Sequence, residues 1–469
     1  MAVDERLSNL RGTSRRQFLR WASTVGALMG LERARFLDAL SGSAGVALAD
    51  TAACASTMRS VHLVAGDGGL AWFQLIWPHT EIAMATQNNQ NFAFHAKGQA
   101  QLAGALTDRP FAFAPQSPWR ALGRSKQVTA IMAGSNETHT PSPVSQNQVA
   151  TGVSMLAAVA AIQGANPTLL PVIAVNPFQF GQAPGAPSVA SVGNVAGLVD
   201  LFNSAASRTL LQAPQNSALA ESYYKAFLSL NRAAGNQMLE KGYRNGGVAA
   251  NLIGRNLGDQ LRPTTADRAR YGTDGAVRTA VRDIADVLII ATKAFRLGLT
   301  SSIIAPVYRD DPHGAFGGGD AAPTPEVAAL GRILDAFMAD LASTPDPACG
   351  LKNLDSNVVL TVHGDTPKDP RDKNAWPDAT PGNSNWMYVM GNGYLRTGWF
   401  GGVRANGTVL GFDPSNADPN STIPNQASTV TTNAAAAAVA YAVARGDMRR
   451  VQDFYRGPSL AGLVVPQTM

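Results

Sequence analysis

Asp67, Ser142, Asp311, His313, His363 and Asp365 each stand shortly after an apolar run that reads as a β-strand, where open α/β sheets place their binding groups. Asp67 lies in Val61-His62-Leu63-Val64-Ala65-Gly66-Asp67-Gly68-Gly69, and Ser142 in Thr140-Pro141-Ser142-Pro143-Val144-Ser145. Asp311 and His313 lie in Tyr308-Arg309-Asp310-Asp311-Pro312-His313-Gly314, and His363 and Asp365 follow the run ending at Val362. Carboxylates and imidazoles hold divalent cations, and a hydroxyl beside them is a nucleophile. Together they are the parts of a metal-assisted nucleophilic site. Each also has a plainer reading. Asp-Gly after a strand is a turn signal, a single His is most often a hydrogen-bonded structural group, and Ser142 stands where it would cap a helix starting near Val144. His62, His79, His95 and His139 are read as structural, and Trp72, Trp77, Trp386 and Trp399 as core or cleft walls.

Such groups act together only if strands bring them to one rim. Apolar runs at residues 61–65, 129–133, 169–175, 302–307, 357–362 and 386–390 alternate with helical patterns, which predicts an α/β fold with a largely parallel central sheet and helices on both faces. Over 274–297 the apolar residues Val277, Val281, Ile284, Leu288 and Phe295 share one helix face. Over 325–341 Val327, Leu330, Leu334, Phe337 and Leu341 do the same, with Thr324 as N-cap and Pro325 in the first helical position. The alanine-rich stretch 434–444, opened by Thr432-Asn433, predicts a tightly packed helix. Residues 87–91 and 367–385 read as loops. No repeat or long Gly/Ser linker divides the chain, so 50–469 is expected to be one domain with a helical insertion near 185–270.

Only 15% of residues are charged against 45% hydrophobic, where about 25% charge is usual, which excludes a disordered chain. Residues 1–49 hold seven arginines against four carboxylates, +3 of the net +5. The remainder has no basic stripe interleaved with aromatics, so no nucleic-acid partner is expected. The basic segment contains Thr13-Ser14-Arg15-Arg16-Gln17-Phe18-Leu19, the adjacent-arginine pattern read by the bacterial twin-arginine translocation machinery. An apolar run at 21–31, a charged interruption (Glu32, Arg33, Arg35) and the small-residue ending Ala47-Leu48-Ala49 follow it. Residues 1–49 are therefore expected to be a signal peptide and the mature protein to be periplasmic or secreted, with no stable membrane span. Cys54 and Cys349 pair in an oxidising exterior or stand as two thiols. Thr51-Ala52-Ala53 before Cys54 lacks the leucine of a lipoprotein site.

The order of these pieces resembles the alkaline phosphatase and sulfatase superfamily: Asp-Gly after the first strand, a hydroxyl nine residues before Thr151-Gly152, an Asp-x-His, then a His-Gly after a later strand. Within it the chain looks like an uncharacterised, twin-arginine-exported, sulfatase-like family, over most of residues 60–415. The nearest local matches are Tyr271-Gly272 opening the long helix, Asp311-Pro312-His313-Gly314 for the family's Asp-Thr-His-Gly, and Val362-His363-Gly364-Asp365-Thr366-Pro367 for its Glu-Phe-Gly-Arg-Thr-Pro. The strand and Gly-rich run at 387–402 is a further match. The resemblance implies an alkaline-phosphatase-like three-layer sandwich. It makes Asp67 a ligand of one metal, Asp311 and His313 ligands of another, and Ser142 the nucleophile. His363 and Asp378 complete the expected metal set, for zinc, calcium or manganese, and the substrate implied is a small anionic ester or glycan. The chain also departs from the pattern: Val362 stands where related hydrolases have a ligand Asp, Asp378-Ala379 where the nearer family has Asp-His, and Gly69 and Trp72 replace polar residues of the first loop. Two functions follow: a divergent metal-dependent hydrolase of phosphate or sulfate esters, or an inactive relative that binds a ligand outside the cytoplasm.

Overall fold

Every residue of Arg59-Ser60-Val61-His62-Leu63-Val64-Ala65 is buried, as happens to a strand paired on both edges and covered on both faces. The computed structural model describes residues 57–66, 76–77, 112–113, 128–135, 148–166, 168–176, 179–202, 257–307, 325–347, 349, 352–364, 384–403, 409–420 and 429–467. The twin-arginine motif and the cleavage signal lie outside the described residues, as do Asp67, Ser142, Asp311, His313, Asp365 and Asp378.

Eight strands form one sheet: β1 (Arg59–Ala65), β2 (Val128–Ser135), β3 (Leu170–Val175), β4 (Val189–Val192), β5 (Thr300–Val307), β6 (Val358–Gly364), β7 (Ser384–Met390) and β8 (Gly398–Phe400). Their order is β8-β2-β7-β6-β1-β5-β3-β4, and β7 alone runs against the others. All six expected strands are in this sheet. The short strands β4 and β8 were not expected: neither carries a long apolar run, and both sit at the sheet's edges. Because β4 lies within 185–270, that stretch supplies sheet as well as helix.

Eight α-helices are found among the described residues: α1 (Met155–Ile162), α2 (Val195–Asp200), α3 (Leu257–Leu261), α4 (Thr265–Tyr271), α5 (Thr279–Arg296), α6 (Pro325–Ser343), α7 (Thr429–Val443) and α8 (Met448–Gln452). Side chains alternate across a strand, so Arg59 and Ser60 report opposite faces of β1. The Arg59 guanidinium lies 6.0 Å from the ring centroid of Phe295 on α5, which packs against α6. On the other face Ser60 Oγ accepts a hydrogen bond from Gln163, the residue after α1, which packs against α7. The expected α5 face is real: Val281, Ile284, Leu288 and Phe295 are buried. The helix itself starts at Thr279, later than its apolar pattern suggested.

Tyr271-Gly272 ends a helix rather than opening one. Thr264 and Asp267 form a capping box at the start of α4, and Gly272 closes it in the left-handed region at φ 69°. The alanine-rich helix begins at Thr429, ahead of Thr432-Asn433, and Ala434 to Ala442 are all buried. Small side chains allow α7 to sit close against β2 and α1, so its stability comes from packing on nearly every side.

The amino end of β1 is tied to the loop before β6. Arg59 donates to Asp346 at 3.0 Å, Asn357 donates to the same carboxylate at 2.5 Å, and Arg445 donates to Asn357 Oδ1. Three residues beyond Asp346, Cys349 is disulfide-bonded, and Cys54 is the chain's other cysteine.

Candidate functional site

His363 is the penultimate residue of β6 and only 2% exposed. Neither Nδ1 nor Nε2 has a hydrogen-bond partner among the described residues, and burial lowers its pKa to about 3. The ring is therefore neutral at pH 7, the form that binds metals, and leaving its buried polar atoms unmatched costs about 1–3 kcal/mol. Gly364, next to it, has φ 143° and lies so close to β1 that a Cβ there would be 2.1 Å from the Ala65 carbonyl oxygen. Asn385 of β7 donates to the Gly364 carbonyl at 2.8 Å, which closes the other side. Gly364→Ala is expected to cost about 2–5 kcal/mol, from backbone strain plus overpacking between the strand ends. Urea unfolding checks this; a loss below about 0.5 kcal/mol, the scatter of neutral surface changes, would show that β1 and β6 separate freely there.

The register fixes where the other candidates start. Ala65 is paired with Gly364 on one side and Val307 on the other, so β1, β5 and β6 end side by side. Strands lie about 4.8 Å apart, which puts these three exits within about 10 Å. The segment carrying Asp67 leaves from β1, that carrying Asp311 and His313 from β5, and that carrying Asp365 and Asp378 from β6. The last returns at Ser384, paired with Ser135 at the end of β2. The segment carrying Ser142 leaves from Ser135, three strand spacings or about 14 Å from β1. Seven residues reach at most about 23 Å, so the chain is long enough to bring a hydroxyl back toward the other exits.

Below His363 on the same face of the sheet lies a polar group that sequence reasoning set aside. His62 is fully buried; its Nδ1 is 2.7 Å from Thr361 Oγ1 and its Nε2 3.0 Å from Ser60 Oγ. Ser60 donates to Ser302 on β5 at 3.0 Å, and Gln163 Nε2 donates to Ser60 Oγ at 3.1 Å. The His62 and His363 ring centroids are 6.5 Å apart with the planes at 71°, an edge-to-face arrangement. Burial first, and the neighbouring His363 second, lower the His62 pKa to about 3. The reading of His62 as a hydrogen-bonded structural histidine agrees with these partners. The signal that marks this stripe is Ser60 and His62 two apart in a strand that is otherwise apolar beyond Arg59.

No family model, curated protein or solved structure matches this chain.

The helices add an electrostatic bias across the sheet. Met58, just before β1, donates to the carbonyl of Val443 at the end of α7, and Gln163 after α1 donates to Met58's own carbonyl. The carboxyl ends of both helices thus lie at the amino end of β1, so the negative ends of their dipoles are held at the edge opposite the one that carries His363. Among the described residues no three His, Cys, Asp or Glu side chains come together as a metal cluster. His363 alone of the expected ligands is described; its neutral, unmatched imidazole has the chemistry of a metal ligand. Val362 is 1% exposed and faces the opposite side of the sheet, so it brings nothing to this rim.

Proposed function

We propose that this protein is an exported, divergent metal-dependent hydrolase of phosphate or sulfate esters, built as an alkaline-phosphatase-like three-layer sandwich. The observation that carries the reading is His363: a buried imidazole with two unmatched nitrogens, where the ends of β1, β5 and β6 converge. His363, Asp67, Asp311, His313 and Asp378 would between them hold the cations, zinc, calcium or manganese, which would supply charge stabilisation for an anionic ester. Ser142 supplies the hydroxyl nucleophile. Residues 1–49 direct the protein to the twin-arginine translocation machinery, and a disulfide at Cys349 suits an oxidising exterior.

The second reading is an extracytoplasmic binding protein without catalysis, favoured by Val362 at a position where hydrolases of this type have a ligand carboxylate. Elemental analysis of protein recovered from the periplasmic or secreted fraction, with His363→Ala as control, separates the two. The hydrolase reading expects near-stoichiometric metal in the wild type and, in the control, an affinity weakened by at least about 10–100-fold, seen as metal lost on dialysis. A well-folded wild type without metal would leave the binding protein, and recovery only from the cytoplasm would remove the export reading.

A further inference from the structure

We propose that His62 is a positioning residue that holds the His363 ring at the rim of the sheet. This rests on the reading of His363 as the functional imidazole. His62 is not itself a ligand in this arrangement, because both its nitrogens are engaged by the hydroxyls of Thr361 and Ser60. Those hydroxyls belong to β6 and β1, and Ser60 is held in turn by Ser302 of β5 and by Gln163. Three strands and a helix end thereby fix one imidazole.

His363 has no hydrogen bond among the described residues to choose its rotamer, so packing must choose it. Val64 is its register partner on β1, and His62 lies diagonally below, meeting it edge to face at 6.5 Å. Stability alone does not explain a histidine here. An apolar side chain with apolar neighbours would fill a fully buried strand position at lower desolvation cost. What the polar stripe adds is a ring oriented by hydrogen bonds at both nitrogens, packed against one whose orientation no hydrogen bond sets among the described residues.

The test uses the full exported chain, 15N-labelled at histidine, with zinc chloride as the probe. His62→Leu removes the ring and its bonds; His62→Gln removes the ring and retains groups able to bond both hydroxyls. Both are expected to shift the His363 ring nitrogen resonances in metal-free protein and to weaken zinc binding about tenfold. His62→Phe, which restores an aromatic edge without the bonds to Thr361 and Ser60, is expected to return only part of the affinity. A purely structural His62 would change the melting temperature while leaving the His363 resonances and zinc affinity alone, and that result would overturn the proposal. If His62→Leu does not fold, His62→Gln decides. If the wild type takes up no zinc, the metal reading of His363 falls, and the His363 resonances alone decide whether His62 holds the ring.

Discussion

Lowering the pH of the metal-free protein from 6.5 to 4.5 is expected to remove several kcal/mol of stability, above the midpoints of the ordinary carboxylates. His62 and His363 are both fully buried, and both have pKa values near 3 against an ordinary 6.5. The folded protein therefore holds both rings neutral, while the unfolded chain takes up protons as the pH falls below 6.5. Stability is complete above the unfolded value and declines toward pH 3, at about 1.4 kcal/mol per pH unit for each histidine. Asp267 does not confuse this window: burial opposes its ionisation, but hydrogen bonds from Lys293 and Thr264 outweigh that and hold its pKa well below the usual carboxylate range. Its contribution is lost only at lower pH. Urea unfolding at half-unit pH steps measures the slope. A flat profile between pH 6.5 and 4.5 would mean that the imidazoles reach solvent or a counter-charge.

Asp346→Ala is expected to destabilise the protein by about 3–5 kcal/mol, the usual cost of stranding one member of a buried ion pair. Arg59 and Asp346 side chains are 8% and 1% exposed, with nitrogen and oxygen 2.9 Å apart. Removing the carboxylate leaves the guanidinium over Phe295 and takes away the acceptor of Asn357. The loop is still held: Cys349 is disulfide-bonded and donates its backbone N–H to the Asp346 carbonyl. The loss therefore reports the charge rather than release of the chain. Replacing both partners together, Arg59→Met with Asp346→Leu, is expected to recover most of the stability, because the uncompensated charge is gone. If the single substitution costs less than about 1 kcal/mol, water or another anion reaches Arg59.

Much of the sheet could be read from local pattern. A strand buried on both faces is a run of apolar residues wherever it occurs, and β1, β2, β3, β5, β6 and β7 each contain one. β4 and β8 escaped because an edge strand of three or four residues is defined by its neighbour's hydrogen bonds rather than by its own composition. The start of α5 was misplaced for a related reason: the apolar pattern continues back to Val277, but Gly272 and the turn after it end one helix before the next begins.

The candidate site divides along the same line. Residue types and order drew attention to His363 and to Asp67, Asp311, His313, Asp378 and Ser142 as groups that an anion-handling site would need, because ligand chemistry belongs to the side chain itself; of these, His363 alone is among the described residues. Which strand ends stand together is a matter of pairing between segments up to about 300 residues apart, such as Val64 with His363, and no local window contains it. The same holds for the His62 stripe. A histidine in an apolar strand reads as one more core residue until the fold sets Thr361, Ser60, Ser302 and Gln163 around it. Local sequence decided which groups and which buried inner strands this protein has, since propensity and chemistry act over a few residues. Tertiary structure alone decided that one histidine is clamped and its neighbour left unmatched, since hydrogen-bond satisfaction depends on what long-range packing brings within 3 Å.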